Sequence, residues 1–204
     1  MAKRLLVICT LLCLDLFVFV LIYESNVEDS VKASTTFYEN VIALTFDDGP
    51  HGTYTKELLE GLKKREVVAS FFILGEHIEG NEELLLQMKE DGHLIGNHTF
   101  SHVKLDELND QTACDEVRRT CEAIESITGE PVEYIRPPYG AYNEKLECMI
   151  NLNKVLWTID PQDWNTTNVD AVVSHVVRNA KDGDIILLHD IYPVSYTHLR
   201  AHET

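Results

Sequence analysis

Positive charge is what this chain has least of. Lys and Arg together number 17 against 34 Asp and Glu, for a formal net charge of −17. A phosphate backbone demands a basic face, so nucleic acid is excluded as a partner, and the acidic surface otherwise signals solubility. Cysteine is also scarce, and its five copies do not make a disulfide framework. Cys9 and Cys13 lie in an apolar run. Cys114 and Cys121 stand two helical turns apart along one face, too far to bridge each other, and Cys148 stands alone. Cys114, Cys121 and Cys148 are therefore expected to be small buried hydrophobes.

What is present is a globular composition, 45% apolar and 25% charged in 204 residues. That is room for one domain and a short targeting segment. Lys3 and Arg4 precede an almost continuous apolar run from Leu5 to Tyr23, broken only by Asp15 and small or weakly polar residues. A helix of that length reaches roughly 28 Å, about the hydrocarbon thickness of a bilayer. The basic pair should stay in the cytoplasm, which sends everything after residue 23 outside. A cleaved signal peptide is the alternative. Its candidate site, Val31-Lys32-Ala33, lies far beyond the apolar run, so an uncleaved anchor over 1–23 is preferred. Residues 24–40 are polar and read as a linker.

From there, apolar β-rich runs alternate with helical patterns. Strands are expected at 41–46, 67–74, 93–96, 134–135, 154–159 and 184–188. Helices are expected at 54–64, 82–90, 108–127, 143–152 and 168–180, with Gly129 stopping the longest. Such alternation implies parallel strands. Polar residues cluster just after the strands: Asp47 and Asp48, His98, Arg136, Asp160 and His189. In a (β/α) barrel those strand ends share one face and build the site. After His189-Asp190 a further helix and strand would be needed to close the barrel. Residues 194–204 instead resemble translated adapter sequence, so the domain is taken as 41–193, C-terminally truncated, with a non-native tail. His198 and His202 there only mimic a metal pair.

His98 and His102 stand one helical turn apart and can both reach one metal. With a carboxylate from Asp47-Asp48 they supply the three ligands of a catalytic zinc whose fourth position is open. One aspartate can bind while its neighbour stays free as a base. Each residue has a plainer alternative when taken alone. The aspartates could form a turn and cap, Arg136 could be a surface turn residue, Trp164 and Leu187 could be core, and His189 could be a satisfied buried histidine.

Taken together the motifs are less ambiguous. Thr45-Phe46-Asp47-Asp48-Gly49-Pro50, His98-Thr99-Phe100-Ser101-His102, Arg136-Pro137-Pro138-Tyr139-Gly140, Asp160-Pro161-Gln162-Asp163-Trp164 and Leu187-Leu188-His189 resemble, in order, the five motifs of the polysaccharide deacetylase family. This is the NodB-homology domain, or carbohydrate esterase family four. The resemblance spans about 40–190 and implies an irregular, incomplete (β/α) barrel. It implies one divalent metal, zinc first and cobalt or nickel as substitutes, on Asp48, His98 and His102. Asp47 would be the general base, aligned by Arg136. The Tyr139 amide would stabilise the oxyanion. His189 would be the general acid, oriented by Asp163, and Trp164 and Leu187 would wall an acetyl pocket.

The implied activity is hydrolysis of a linear amide, the N-acetyl group of N-acetylglucosamine residues in a wall polysaccharide. Peptidoglycan ranks first because the domain is expected outside the membrane, anchored through residues 5–23 and acting as a monomer. Deacetylation of chitin oligosaccharides and O-deacetylation of acetylated xylan are alternatives. A non-catalytic sugar-binding module is the reading from another class, and it has no need of the base Asp47 or the acid His189. No wall-binding repeat is recognisable.

Overall fold

The computed structural model describes residues 41–143 and 145–193. The expected anchor over 1–23, the linker over 24–40 and the tail over 194–204, with His198 and His202, lie outside these residues. The chain divides into Met1–Glu39 and Asn40–Thr204, and the described residues belong to the second unit.

Six strands form one parallel sheet: β1 (Ala43–Asp47), β2 (Ser70–Ile73), β3 (Leu94–Asn97), β4 (Tyr134–Ile135), β5 (Asn153–Lys154) and β6 (Ile185–His189). Their order is β5-β4-β3-β2-β1-β6, which brings the last strand beside the first. The sheet curls into a half-barrel with helices packed against it, the irregular (β/α) fold expected. Helices α1 (Tyr54–Lys64), α2 (Glu82–Glu90), α3 (Asp110–Thr128) and α4 (Val169–Asn179) lie between the strands in sequence.

The central strands are buried on both faces, as parallel strands flanked by helices must be, whereas β5 at the edge is exposed. Phe71, Phe72 and Ile73 of β2 are each at most 1% exposed although they alternate in direction. In α1 the pair Leu58 and Leu62, one turn apart, seals the helix onto the core. Helix α3 starts where the Asn109 side chain accepts the Thr112 N–H at 3.1 Å. It stops at Gly129, whose φ of 70° suits the left-handed turn that ends a helix. Its buried stripe is Ala113, Val117, Thr120, Ile124 and Thr128, with Cys114 and Cys121 partly buried beside it.

Three expectations are corrected. The helix expected at 143–152 is a run of tight turns with one short 3₁₀ segment, Glu147–Met149. The Asn143 side chain accepts the Lys145 N–H, which competes with a helical start. The bonds that follow, such as Leu146 to Asn143 and Met149 to Leu146, close over three residues rather than four. The strand expected at 154–159 survives only as β5 and one isolated bridge, Ile159 to Ile186. Between them the Val155 and Leu156 carbonyls are taken by the Arg136 guanidinium, so the ladder is broken there, although the Val155 N–H still donates to Ile135 and the Thr158 N–H to Ile185. The third concerns cysteine. Cys114 and Cys148 form a disulfide with Cα atoms 5.4 Å apart, joining α3 to the 3₁₀ segment, and Cys121 stays free. Spacing along the chain gave no sign of this pair, since 34 residues and a reversal of the chain separate them.

Candidate active site

Because all six strands run the same way, their C-terminal ends share one rim. Asp47 and His189 are register partners on β1 and β6, and Asn97 and Ile135 are partners on β3 and β4. His98 and Arg136 are therefore the next residues out on adjacent strands.

Asp48, His98 and His102 converge, with one ligand atom from each lying within 4.8 Å of the others. Asp48 Oδ1 is 3.4 Å from Nε2 of both imidazoles, yet it is buried and makes no hydrogen bond. His98 Nδ1 lies 2.5 Å from the Arg136 carbonyl oxygen. A carbonyl can only accept, so Nδ1 carries a proton, and in the neutral ring the Nε2 lone pair faces the cluster. An orphaned carboxylate oxygen and an imidazole locked with its lone pair inward are what a divalent cation requires. The residues present fit such an ion. Burial keeps the His102 ring below its ordinary pKa, against the pull of Asp48, which favours a neutral ligand. At Asp48 burial works against ionisation, but the imidazoles of His98, His189 and His102 prevail and hold its carboxyl below the ordinary value.

The loops carrying these groups are strained and braced. Asp48, Thr99, His102, Tyr139 and Gln162 all have positive φ, between 55° and 73°. For non-glycine residues that costs about 1–3 kcal/mol each, and such strain gathers where geometry is tied to function. The Glu116 carboxylate, projecting from α3, accepts the N–H groups of Phe100 and Ser101 at 3.1 and 2.8 Å. Asn97 Oδ1 accepts the Thr99 N–H at 2.7 Å.

Two charge pairs flank the ligand set. Asp47, 3% exposed, is held by Arg136, which has no exposed surface. Arg136 Nη1 donates to Asp47 Oδ1 and to the Thr45 hydroxyl, both at 2.7 Å. The other oxygen, Asp47 Oδ2, lies 3.7 Å from His98 Nε2, beside the cluster without belonging to it. On the opposite side His189 Nδ1 is 2.8 Å from Asp163 Oδ1. Burial would push the His189 ring down, but the hydrogen bond and charge of Asp163, with Asp48 and Asp47 beyond, raise its pKa overall.

A cleft of about 350 Å³ joins these groups. Asp47, Asp48, His98, His102, Tyr139, Trp164, Leu187 and His189 line it, and Arg136 and Asp163 stand behind Asp47 and His189. All ten residues singled out in the sequence are thus brought to one place. Other cavities are larger, one of about 710 Å³ beside Asp163, Trp164 and Tyr192, but the ligand triad, Asp47 and His189 line this cleft and not that one. Tyr192 also lines it and went unremarked in the sequence, although it follows the β6 strand end as the other site residues follow theirs. Glu116 carried no such signal, because it acts from the middle of a helix. Asp190 is 1% exposed behind the site, and a Cβ at Gly49 would collide with its carboxylate, so only glycine fits there.

The fold and the rim together define a class, the (β/α)-barrel hydrolases that gather a His–His–Asp set at their strand ends. The chain belongs to the polysaccharide deacetylase family, whose family model matches residues 34–154. It is 40% identical over 157 residues to the peptidoglycan-N-acetylmuramic acid deacetylase PdaC of Bacillus subtilis, covering 77% of this chain and 34% of PdaC. The chain therefore spans about a third of that relative's length. A solved structure of PdaC superposes with a TM-score of 0.76 at 39% identity, covering 80% of this chain and 81% of that one. The chain is also 39% identical to a peptidoglycan-N-acetylglucosamine deacetylase of Bacillus cereus, with 74% and 73% of the two chains covered. It is 41% identical to a chitooligosaccharide deacetylase of Rhizobium leguminosarum bv. trifolii, with 74% and 72% covered.

Proposed function

We propose that the chain hydrolyses the N-acetyl group of N-acetylglucosamine residues in peptidoglycan. The observation that carries this reading is the pairing of a buried aspartate backed by an arginine, Asp47, with an imidazole backed by an aspartate, His189, across one cleft beside a three-residue ligand set. A sugar-binding module has no use for that pairing.

Asp48, His98 and His102 would hold the metal, zinc first, with cobalt or nickel as substitutes. Bound there, the ion supplies Lewis-acid polarisation and acidifies water at the site. Asp47 takes the proton from the attacking water. It can do so because Arg136 occupies Oδ1 and leaves Oδ2 toward the cluster. The Tyr139 amide, on a turn with φ of 60°, would stabilise the developing oxyanion. His189 gives its proton to the departing sugar amine, and Asp163 keeps that proton on it until then. Trp164 and Leu187 enclose the acetyl methyl in the same cleft.

Peptidoglycan is favoured by the named substrates of two of the relatives, although these differ in which sugar they deacetylate. Chitin oligosaccharide is a second reading, favoured by the rhizobial relative. The chain acts as a monomer outside the cytoplasmic membrane, anchored by residues 5–23. The Cys114–Cys148 disulfide supports an oxidising compartment. Among the described residues no helix is long and apolar enough to cross a membrane, so the anchor would be the earlier segment.

Acetate release tests the reading. The chain would be incubated with purified peptidoglycan, N-acetylglucosamine oligomers and acetylated xylan, each with zinc and with a chelator, alongside Asp47→Ala. Zinc-dependent release from peptidoglycan that Asp47→Ala abolishes is expected. Equal release by Asp47→Ala, or none by the folded wild type on any substrate, would end the catalytic reading.

A further inference from the structure

The two loops that carry the ligand set come from different strands, and nothing in either motif sets their separation. The short turn after β2 does touch both. From it, the Leu74 N–H donates to the Gly49 carbonyl at 2.9 Å, and His77 Nδ1 lies 2.7 Å from the Asp48 carbonyl oxygen. From the same turn, the Gly75 N–H donates to Thr99 O at 3.0 Å and the Glu76 N–H to Phe100 O at 2.9 Å. Two bonds therefore reach the Asp48 loop and two reach the His98 loop. The approach to the second loop is close, since a Cβ on Gly75 would run into the Phe100 ring.

We propose that the turn over residues 74–77 sets the separation of the metal ligands, and that His77 is the positioning residue that holds Asp48. A carbonyl only accepts, so His77 Nδ1 must carry a hydrogen, and it does so whether the ring is neutral or charged. The bond it makes has a defined task. Asp48 sits at φ 73°, a region an ordinary side chain leaves when it can. Rotation about the Asp48 N–Cα bond would relieve the strain, and it would turn the carbonyl and swing the carboxylate together. His77 pins that carbonyl. Its own main chain is fixed in turn, because its carbonyl accepts the Asn81 side-chain amide at 2.9 Å. His77 does not line the cleft and has no part in acid–base chemistry.

This inference rests on the ligand set proposed above, and zinc affinity tests it without any turnover. The full chain would be stripped of metal and titrated with zinc against a fluorescent chelator, as wild type, His77→Ala and His77→Asn. The Asn amide N–H stands close to where Nδ1–H of histidine stands. His77→Ala should weaken zinc binding about 10- to 100-fold, as loss of a group supporting a ligand does. His77→Asn should recover most of that. Thermal unfolding of the metal-free forms gives the second readout, and His77→Ala should melt close to the wild type there. Unchanged affinity in His77→Ala overturns the positioning role. So does a His77→Asn variant at least 10-fold weaker than the wild type, and that comparison decides the matter even if His77→Ala does not fold. A wild-type chain that takes up no zinc overturns the ligand set itself, a result distinct from either.

Discussion

Asp163 grips His189 at two points. One carboxylate oxygen accepts the ring Nδ1–H and the other accepts the His189 main-chain N–H, each at 2.8 Å. The same group therefore fixes the tautomer of the imidazole, the orientation of the ring and the end of β6. Asp47 and Arg136 mirror this on the other side of the cleft, with the acidic partner now at the front and its support behind. The two halves make opposite demands. One holds a buried carboxylate against a cation, and the other holds an imidazole against an anion.

Replacing Asp163 by Asn removes the charge while leaving a hydrogen-bonding group of the same shape. The raised pKa of His189 should then fall, since its hydrogen bond to Asp163 and that carboxylate's charge lift it against burial. An acid works only while protonated, so activity declines as pH rises through that pKa, and the alkaline limb should move to lower pH. The rate at pH 8 should drop on the order of 10²-fold. Acetate release across pH 5 to 9 checks this, and a limb that stays in place would remove Asp163 from the mechanism.

Asp47 and Arg136 should respond differently to mutation. Arg136→Met leaves the Asp47 carboxylate buried without its partner, which typically costs about 3–5 kcal/mol of stability. Asp47→Asn keeps an oxygen for Arg136 and should fold normally with zinc affinity retained, because Asp47 lies outside the ligand set. Its acetate release should fall about 10²- to 10⁴-fold, the usual contribution of a general base. Urea denaturation and zinc titration of both variants separate the two roles.

The site was legible in the sequence to the extent that its chemistry sits at strand ends. Asp47, Asp48, His98, Arg136 and His189 announce themselves as polar residues closing apolar runs, and His102 by its four-residue spacing from His98. The helices α1 and α2 were legible for a related reason, since apolar residues at helical spacing have one way to be buried together. What supports the site was not legible. Glu116 and His77 act through bonds to main-chain groups 15 to 29 residues away, and a glutamate on a helix or a histidine in a turn looks the same without them. The break in the strand expected at 154–159 has the same origin. Its sequence suits a strand, but Arg136, needed for Asp47, also takes the carbonyls of Val155 and Leu156. The disulfide could not be read either, because Cys114 sits on a regular helix and Cys148 in a segment that only resembled one.

That disulfide should contribute measurably to stability. It closes a loop of 34 residues between α3 and a segment with little regular structure of its own. Loops of that size give about 2–4 kcal/mol on restriction of the unfolded chain. Cys148→Ser should lose stability of that order in urea denaturation, and dithiothreitol should destabilise the wild type but not the variant. Cys121→Ser serves as the control, because Cys121 is outside the bridge. A Cys148→Ser variant as stable as the wild type would mean the reduced loop is already restricted.

A buried acid behind the site should make the fold sensitive to pH in a direction opposite to ordinary acid denaturation. Asp190 accepts the Thr55 hydroxyl at 2.5 Å through Oδ2, while Oδ1 is buried without a partner. Burial pushes its carboxyl up from 3.8 to about 7. Between those values the folded protein holds a proton that the unfolded chain has released. Stability contributed by that proton is therefore complete below about pH 4 and is lost as pH rises through 7, by about 4 kcal/mol in total. Asp190→Asn cannot titrate and keeps the shape beside Gly49. Its unfolding free energy minus that of the wild type should climb steadily from pH 4.5 to 7.5, because every other group titrates alike in both. Urea denaturation at half-unit steps reads this difference directly. A difference that stays level across the range would show that Asp190 is ionised in the folded protein, and that water or a cation reaches Oδ1.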